Sequence, residues 1–151
     1  MIQDIFETHL TVRRLENAVE FYRDVLGLEL ASVFPQRRVA FFWAGGRGHS
    51  MLGLWEAGSM PLQMVGHTAF AVRVEDVLAA PQRLREAGIT PLDLDGATAT
   101  EPVVLAWMPA VSIYFKDPDG NLLEYISMLP ETPRPELGVV AWSQWLIARS
   151  G

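Results

Sequence analysis

The chain has 151 residues, half of them hydrophobic, a formal net charge of −6 and no cysteine. That length builds one domain with a real core, and so large an apolar share excludes a disordered chain. The 12 basic residues form no cluster, which argues against nucleic acid or an anionic membrane as partner; without thiolates, a metal site has to be built from His, Asp, Glu or backbone oxygen.

The amino terminus carries an acid, Asp4, and lacks the basic start and apolar run of a signal peptide. No apolar stretch is long enough to span a bilayer. The expectation is a soluble, cytoplasmic protein.

In chain order, Phe6, Thr8, Leu10 and Val12 alternate with Ile5, Glu7, His9 and Thr11, the pattern of a strand with two unlike faces. Leu15, Ala18, Val19, Phe21 or Tyr22, Val25 and Leu26 then fall at helical spacing, and Gly27 stands where a helix would end. Residues 28–34, 39–43 and 51–55 read as three strands, separated by Pro35-Gln-Arg-Arg and Gly45-Gly-Arg-Gly. The first half is β-α-β-β-β. A linker is expected over 56–65, after which the pattern restarts: a strand at 66–72, a helix at 75–87 closed by Gly88, and a strand at 89–94. Pro81 falls inside the second helix, so either that helix is kinked or residues 74–79 form a separate turn and it begins near Ala80. Residues 95–110 are too interrupted by proline for a strand to be assigned.

Two alternating runs, 111–115 and 122–126, flank Asp117-Pro-Asp-Gly and predict a β-hairpin. In its second strand Glu124 shares a face with Leu122 and Ile126, and an inward carboxylate among apolar neighbours needs a cation, a metal or a donor opposite it. His9 and His67 each lie in the first strand of their half, on the face opposite the bulkier apolar row. Phe41, Trp43, Met51 and Trp55 share the parity of Gly53, either as plain core or as the lining of an apolar cavity.

His9-Leu-Thr-Val, Ala18-Val-Glu-Phe-Tyr-Arg-Asp-Val-Leu-Gly-Leu, Gly66-His-Thr-Ala-Phe-Ala-Val and Tyr114-Phe-Lys-Asp-Pro-Asp-Gly-Asn-Leu-Leu-Glu together resemble the vicinal oxygen chelate superfamily, which contains glyoxalase I, extradiol dioxygenases and the fosfomycin and bleomycin resistance proteins. The resemblance implies an α+β fold of paired βαβββ modules, about 4–56 and 66–127, whose curved mixed sheets surround a central cavity. It places one domain over 1–127, with a partly helical extension at 128–151. It implies one divalent metal ion, Fe, Mn, Ni or Zn, held by His9, His67 and Glu124. Glyoxalase I-like members carry a fourth ligand where this chain has Gly53, so that reaction is not expected. Thr11 and Tyr114 match residues of the fosfomycin-modifying enzymes, but the loop over 97–111 lacks the basic residues a phosphonate needs.

The expected function is that of a metal-dependent dioxygenase or lyase acting on a small, fairly apolar molecule bound through two oxygens, with Thr11, Phe41, Trp43, Met51 and Trp55 at the substrate and Tyr114 and His49 as candidates for proton transfer. The alternatives are a non-catalytic antibiotic-binding protein and a thiol transferase of the fosfomycin-resistance type. A homodimer is expected, because family members commonly build the metal site from modules of two chains. The tail carries Val139, Val140, Trp142, Leu146 and Ile147 around a helix that covers its own pocket, packs on its own sheet or docks on a second subunit.

Overall fold

A computed structural model of the chain describes residues 5–58 and 65–149. The linker expected over 56–65 lies outside these residues except at its ends. The chain forms two compact units, one from residues up to Gly66 together with Asp117–Asn121, the other from His67–Lys116 and Leu122 onwards.

In the first unit the alternating run becomes strand β1, Glu7–Val12, followed by helix α1, Leu15–Glu20, and strands β2, Glu29–Phe34, β3, Val39–Ala44, and β4, Ser50–Glu56. The sheet order is β1-β4-β3-β2, with β1 parallel to β4 and the other pairs antiparallel. Leu10, Val12, Ala40, Phe42, Leu52 and Leu54 are all buried, on the face that α1 covers with Leu15 and Ala18. Each such aliphatic side chain withdrawn from water contributes about 1.5–3 kcal/mol. Beyond Glu20 the helix widens into a π turn, Phe21–Val25, where the amide of Leu26 reaches back to the Phe21 carbonyl at 3.1 Å. Strict 3.6-residue spacing buries one of Phe21 and Tyr22; the wider turn buries both.

Tyr22 is thereby carried to a buried carboxylate. Its hydroxyl donates to Asp117 Oδ2 at 2.9 Å, and the same carboxylate accepts from the amides of Asp119 and Asn121 and from Asn121 Nδ2. Burial and the Asp117 charge push the Tyr22 phenol far up, so it remains a donor. Asn121, fully buried, donates to the Thr11 carbonyl and accepts from the Gly66 amide. The sequence shows Asp117-Pro-Asp-Gly as a turn; its carboxylate is also a structural hub of the first unit.

The second unit repeats the scheme: β5, His67–Ala71, α2, Val74–Glu86, β6, Val103–Leu105, β7, Ala110–Lys116, and β8, Leu122–Met128. Its sheet runs β5-β8-β7-β6 and ends on a fifth strand, β9, Val139–Ala141, with β5 parallel to β8. The separate turn over 74–79 is ruled out, and one expectation changes here. Helix α2 is continuous through Pro81, which is buried with Val77, Ala80 and Leu84; packing of that face offsets the roughly 3 kcal/mol a mid-helix proline costs. No strand spans 89–94. Pro91 has no amide to give, and Leu92 alone bridges to Tyr114, donating and accepting at 2.7 and 3.0 Å. The module's second strand is instead Val103–Leu105, inside the proline-interrupted stretch.

The tail does not form a single helix. Strand β9, Val139–Ala141, pairs antiparallel with β6, and helix α3, Trp142–Ala148, follows with Trp145 wholly buried. Glu101 caps α3, accepting from the Ser143 amide and hydroxyl at 2.9 Å. The tail thus packs on its own sheet, one of the alternatives drawn from the sequence.

Replacing Asp117 by alanine leaves the Tyr22 hydroxyl and two amides without an acceptor, and Asn121 Nδ2 with the Thr11 carbonyl alone. The expected loss is about 3–5 kcal/mol, measured as a shift of the urea midpoint at unchanged slope; a loss under about 1 kcal/mol would remove Asp117 as the hub.

Candidate functional site

Glu124 lies on β8, on the face of the second sheet opposite the apolar row of Leu123 and Phe115, directly across from Tyr114 on β7 and beside Ala69 on β5. It is 4% exposed. A carboxylate so deep has to be surrounded by donors. Ser112 Oγ donates to its Oε1 at 2.5 Å, His67 Nε2 stands 3.0 Å from its Oε2, and Tyr114 lies directly opposite on β7. His67 remains about half exposed along its side chain, so the pair opens toward solvent on the imidazole side. Burial, then the neighbouring Glu124 charge, raises the Tyr114 phenol from 10.0 to about 12. It is a proton donor at neutral pH, not a base.

The pair offers two donors of the kind a divalent ion takes. One imidazole nitrogen and one carboxylate oxygen are a donor set borderline metals accept. Two adjacent ligands each at roughly 2.1 Å from an ion lie roughly 3 Å apart, and His67 Nε2 and Glu124 Oε2 are 3.0 Å apart. Ser112 occupies the other carboxylate oxygen, the usual arrangement for orienting a ligand.

His9 is arranged differently. On β1 it faces away from α1, and its neighbour in register on β4 is Gly53. A Cβ at position 53 would stand 2.6 Å from His9 Nδ1 and 3.1 Å from Phe41 Cε1; the ring therefore rests where any side chain at 53 would be. Trp55 Nε1 donates to His9 Nδ1 at 2.6 Å, and His9 Nε2 lies 2.6 Å from Glu7 Oε1. An indole only donates, so Nδ1 has no proton and Nε2 carries it toward Glu7. A histidine that ligates through Nε2 keeps its proton on Nδ1. As arranged, then, His9 fits a ligand role only once the Trp55 indole withdraws. Among the described residues, no three His, Asp or Glu side chains converge into a group able to hold a metal.

The remaining candidates are distributed as follows. Thr11, Phe41, Trp43, Met51 and Trp55 share the His9 face of the first sheet, partly exposed; Phe41 meets His9 edge-on at 6.0 Å and Phe34 at 6.0 Å. His49 is exposed in the turn between β3 and β4, its ring against Gly45 and Nδ1 3.2 Å from Ser50 Oγ. Reading the sequence alone missed Glu7, Ser112 and Arg37. Glu7 and Ser112 were marked by parity, each two residues from a candidate on the same strand. Arg37 sits in the turn after β2, where no periodicity operates, and its guanidinium lies 5.1 Å over the Trp55 ring.

Two mixed sheets, each from a β-α-β-β-β run whose first and last strands pair in parallel, and each with a histidine on the face away from its helix, define an α+β protein of repeated modules. The chain belongs to the glyoxalase/bleomycin resistance protein/dioxygenase superfamily, whose family model matches residues 4–125. Solved structures agree. An integron cassette protein from the mobile metagenome of a Halifax Harbour sewage outfall is 31% identical, with a TM-score of 0.70 over 84% of this chain and 100% of that one. A glyoxalase/bleomycin resistance protein/dioxygenase from Nocardioides is 27% identical, with a TM-score of 0.63 over 88% of each chain. A lactoylglutathione lyase from Agrobacterium tumefaciens is 25% identical, with a TM-score of 0.65 over 83% of this chain and 94% of that one. No helix among the described residues is long and apolar enough to cross a membrane.

The raised Tyr114 phenol has a consequence for alkaline stability. The folded state keeps a proton that the unfolded state loses near 10.0, so stability falls as pH rises from 10.0 to about 12 and the loss is complete above that. Thermal melts of the wild type and Tyr114→Phe over that window are expected to converge as pH rises; parallel curves would remove Tyr114 from the effect.

Proposed function

We propose that the chain is a divalent-metal-dependent enzyme of the vicinal oxygen chelate type, acting on a small, fairly apolar organic molecule through two of its oxygens. His67 and Glu124 are two of the metal's ligands, and the third is a His9 imidazole, of this chain or of a second copy. The observation that carries the reading is the 3.0 Å approach of His67 Nε2 to a Glu124 carboxylate that is buried and already oriented by Ser112. A bound divalent ion would supply Lewis acidity toward the substrate oxygens. Ser112 fixes which carboxylate oxygen is offered, and Tyr114, held protonated, can donate to an oxygen on which negative charge develops. Thr11, Phe41, Trp43, Met51 and Trp55 supply the half-exposed, mostly apolar substrate face. His49 is retained as a second proton-transfer candidate.

One observation favours a second reading, a ligand-binding protein without catalysis: both nitrogens of His9 are engaged, by Trp55 and Glu7. Metal uptake separates the two. In titration calorimetry the wild type is expected to bind one equivalent of Mn2+ or Ni2+, Glu124→Ala and His67→Ala to bind none, and Ser112→Ala to bind roughly 10–100-fold more weakly, the usual effect of removing a group that orients a ligand. A wild type that takes up no divalent ion leaves the binding-protein reading in place of the enzyme.

Gly53 bears on reaction class. Where glyoxalase I-like relatives present a fourth ligand, this backbone has no room for a side chain while His9 holds its position. Negligible turnover of the methylglyoxal–glutathione adduct is expected, with or without added Ni2+ or Zn2+. Turnover within about tenfold of typical enzymes, kcat near 10 s−1, would show that His9 moves aside and that the reading of Gly53 is wrong. Thiol transfer to fosfomycin is likewise not expected, since the loop over 97–111 has no basic residue.

A further inference from the structure

Most arginines of the chain are neutralised where they stand: Arg38 lies against Glu16 and Glu56, Arg47 against Glu29, and Arg149 against Glu131. Arg37 differs. Among the described residues no carboxylate lies within ion-pair distance of it, and its guanidinium is placed over the Trp55 ring. A guanidinium in contact with an aromatic face keeps its in-plane N–H fork available, and that fork matches a carboxylate with two parallel hydrogen bonds. The indole beneath it is the one that donates to His9 Nδ1. Arg37, Trp55 and His9 are thus contiguous, and Phe41 adds an aromatic edge on the far side of His9.

We propose that this open face of the first unit binds a planar aromatic carboxylate, its ring on Trp55 and Phe41 and its carboxylate on Arg37. The proposal deepens the function given above by naming the substrate's chemical class. Flat aromatic side chains favour a flat ring through offset and edge contacts. One unpaired guanidinium matches one negative charge; a phosphate or phosphonate dianion would want a second cation, and the face carries Glu7, beside His9, which repels it. The loop over 97–111, which has no basic residue, is not the place to look for the substrate's counter-charge; Arg37 contributes a cation from a different turn.

The test uses full-length protein stripped of metal, so that it does not depend on the metal reading. Binding of 2-naphthoate and of its uncharged amide is measured by titration calorimetry for the wild type, Arg37→Gln and Trp55→Leu, with circular dichroism to verify folding. Arg37 is exposed, with its guanidinium over Trp55, so Arg37→Gln is expected to fold normally. The wild type is expected to bind the carboxylate at least about tenfold more tightly than the amide. Arg37→Gln should bring the two within about twofold, and Trp55→Leu should weaken both. Equal affinities in the wild type, an undiminished preference in Arg37→Gln, or no heat with either compound would overturn the proposal. A protein that prefers naphthoate yet takes up no metal keeps this site and loses the enzyme reading; one that binds a metal without the preference loses only this site.

Discussion

A carboxylate withdrawn from water is the constraint that organises the chemistry of the second unit. Glu124 is 4% exposed, and a charge at that depth persists only where donors replace its hydration. Those donors come from the two flanking strands, His67 on β5 and Ser112 on β7, with Glu124 between them on β8. The parallel pairing of β5 with β8 and the antiparallel pairing of β7 with β8 bring them within reach. A slip of one residue in either ladder would turn half of them toward the helix face and leave the charge alone. Register and ionisation are therefore one requirement in this unit.

The first unit solves a related problem with less charge and more aromatic surface. Gly53 is in ordinary strand backbone, and its value is steric: the absent Cβ leaves room for the His9 ring, which Trp55 and Glu7 then hold from both nitrogens. The side chain a four-ligand relative would place there and the conformation His9 has here are mutually exclusive. The same indole supports Arg37, so a change at Trp55 acts on the histidine and the guanidinium together.

Much of this was legible in the residues. Alternation located β1, β3, β4, β5, β7 and β8, and parity put His9, His67 and Glu124 on the faces away from the helices, because side-chain direction in a strand depends on counting alone. What counting could not give was anything set by distant parts of the chain. The π turn that buries both Phe21 and Tyr22 departs from the helical period the reading assumed. The strand at Val103–Leu105 is fixed by pairing on both sides, against a local sequence full of proline, while residues 89–94, locally more strand-like, reduce to isolated bridges at Leu92. Arg37 lies in a turn, and the indole beneath it comes from another strand.

Strand β9 lies beyond the stretch shared with the family, which ends at residue 125, and the integron cassette relative is matched over its whole length by 84% of this chain. Yet β9 supplies the fifth strand of the second sheet and covers β6, whose three residues would otherwise present unpaired amides and carbonyls at the sheet's border. The limit of shared ancestry and the limit of cooperative folding thus fall at different residues. A fragment cut just past β8, after Met128, would keep every candidate ligand and lose its protection against strand-by-strand self-association, so its solubility would report on the tail and not on the site.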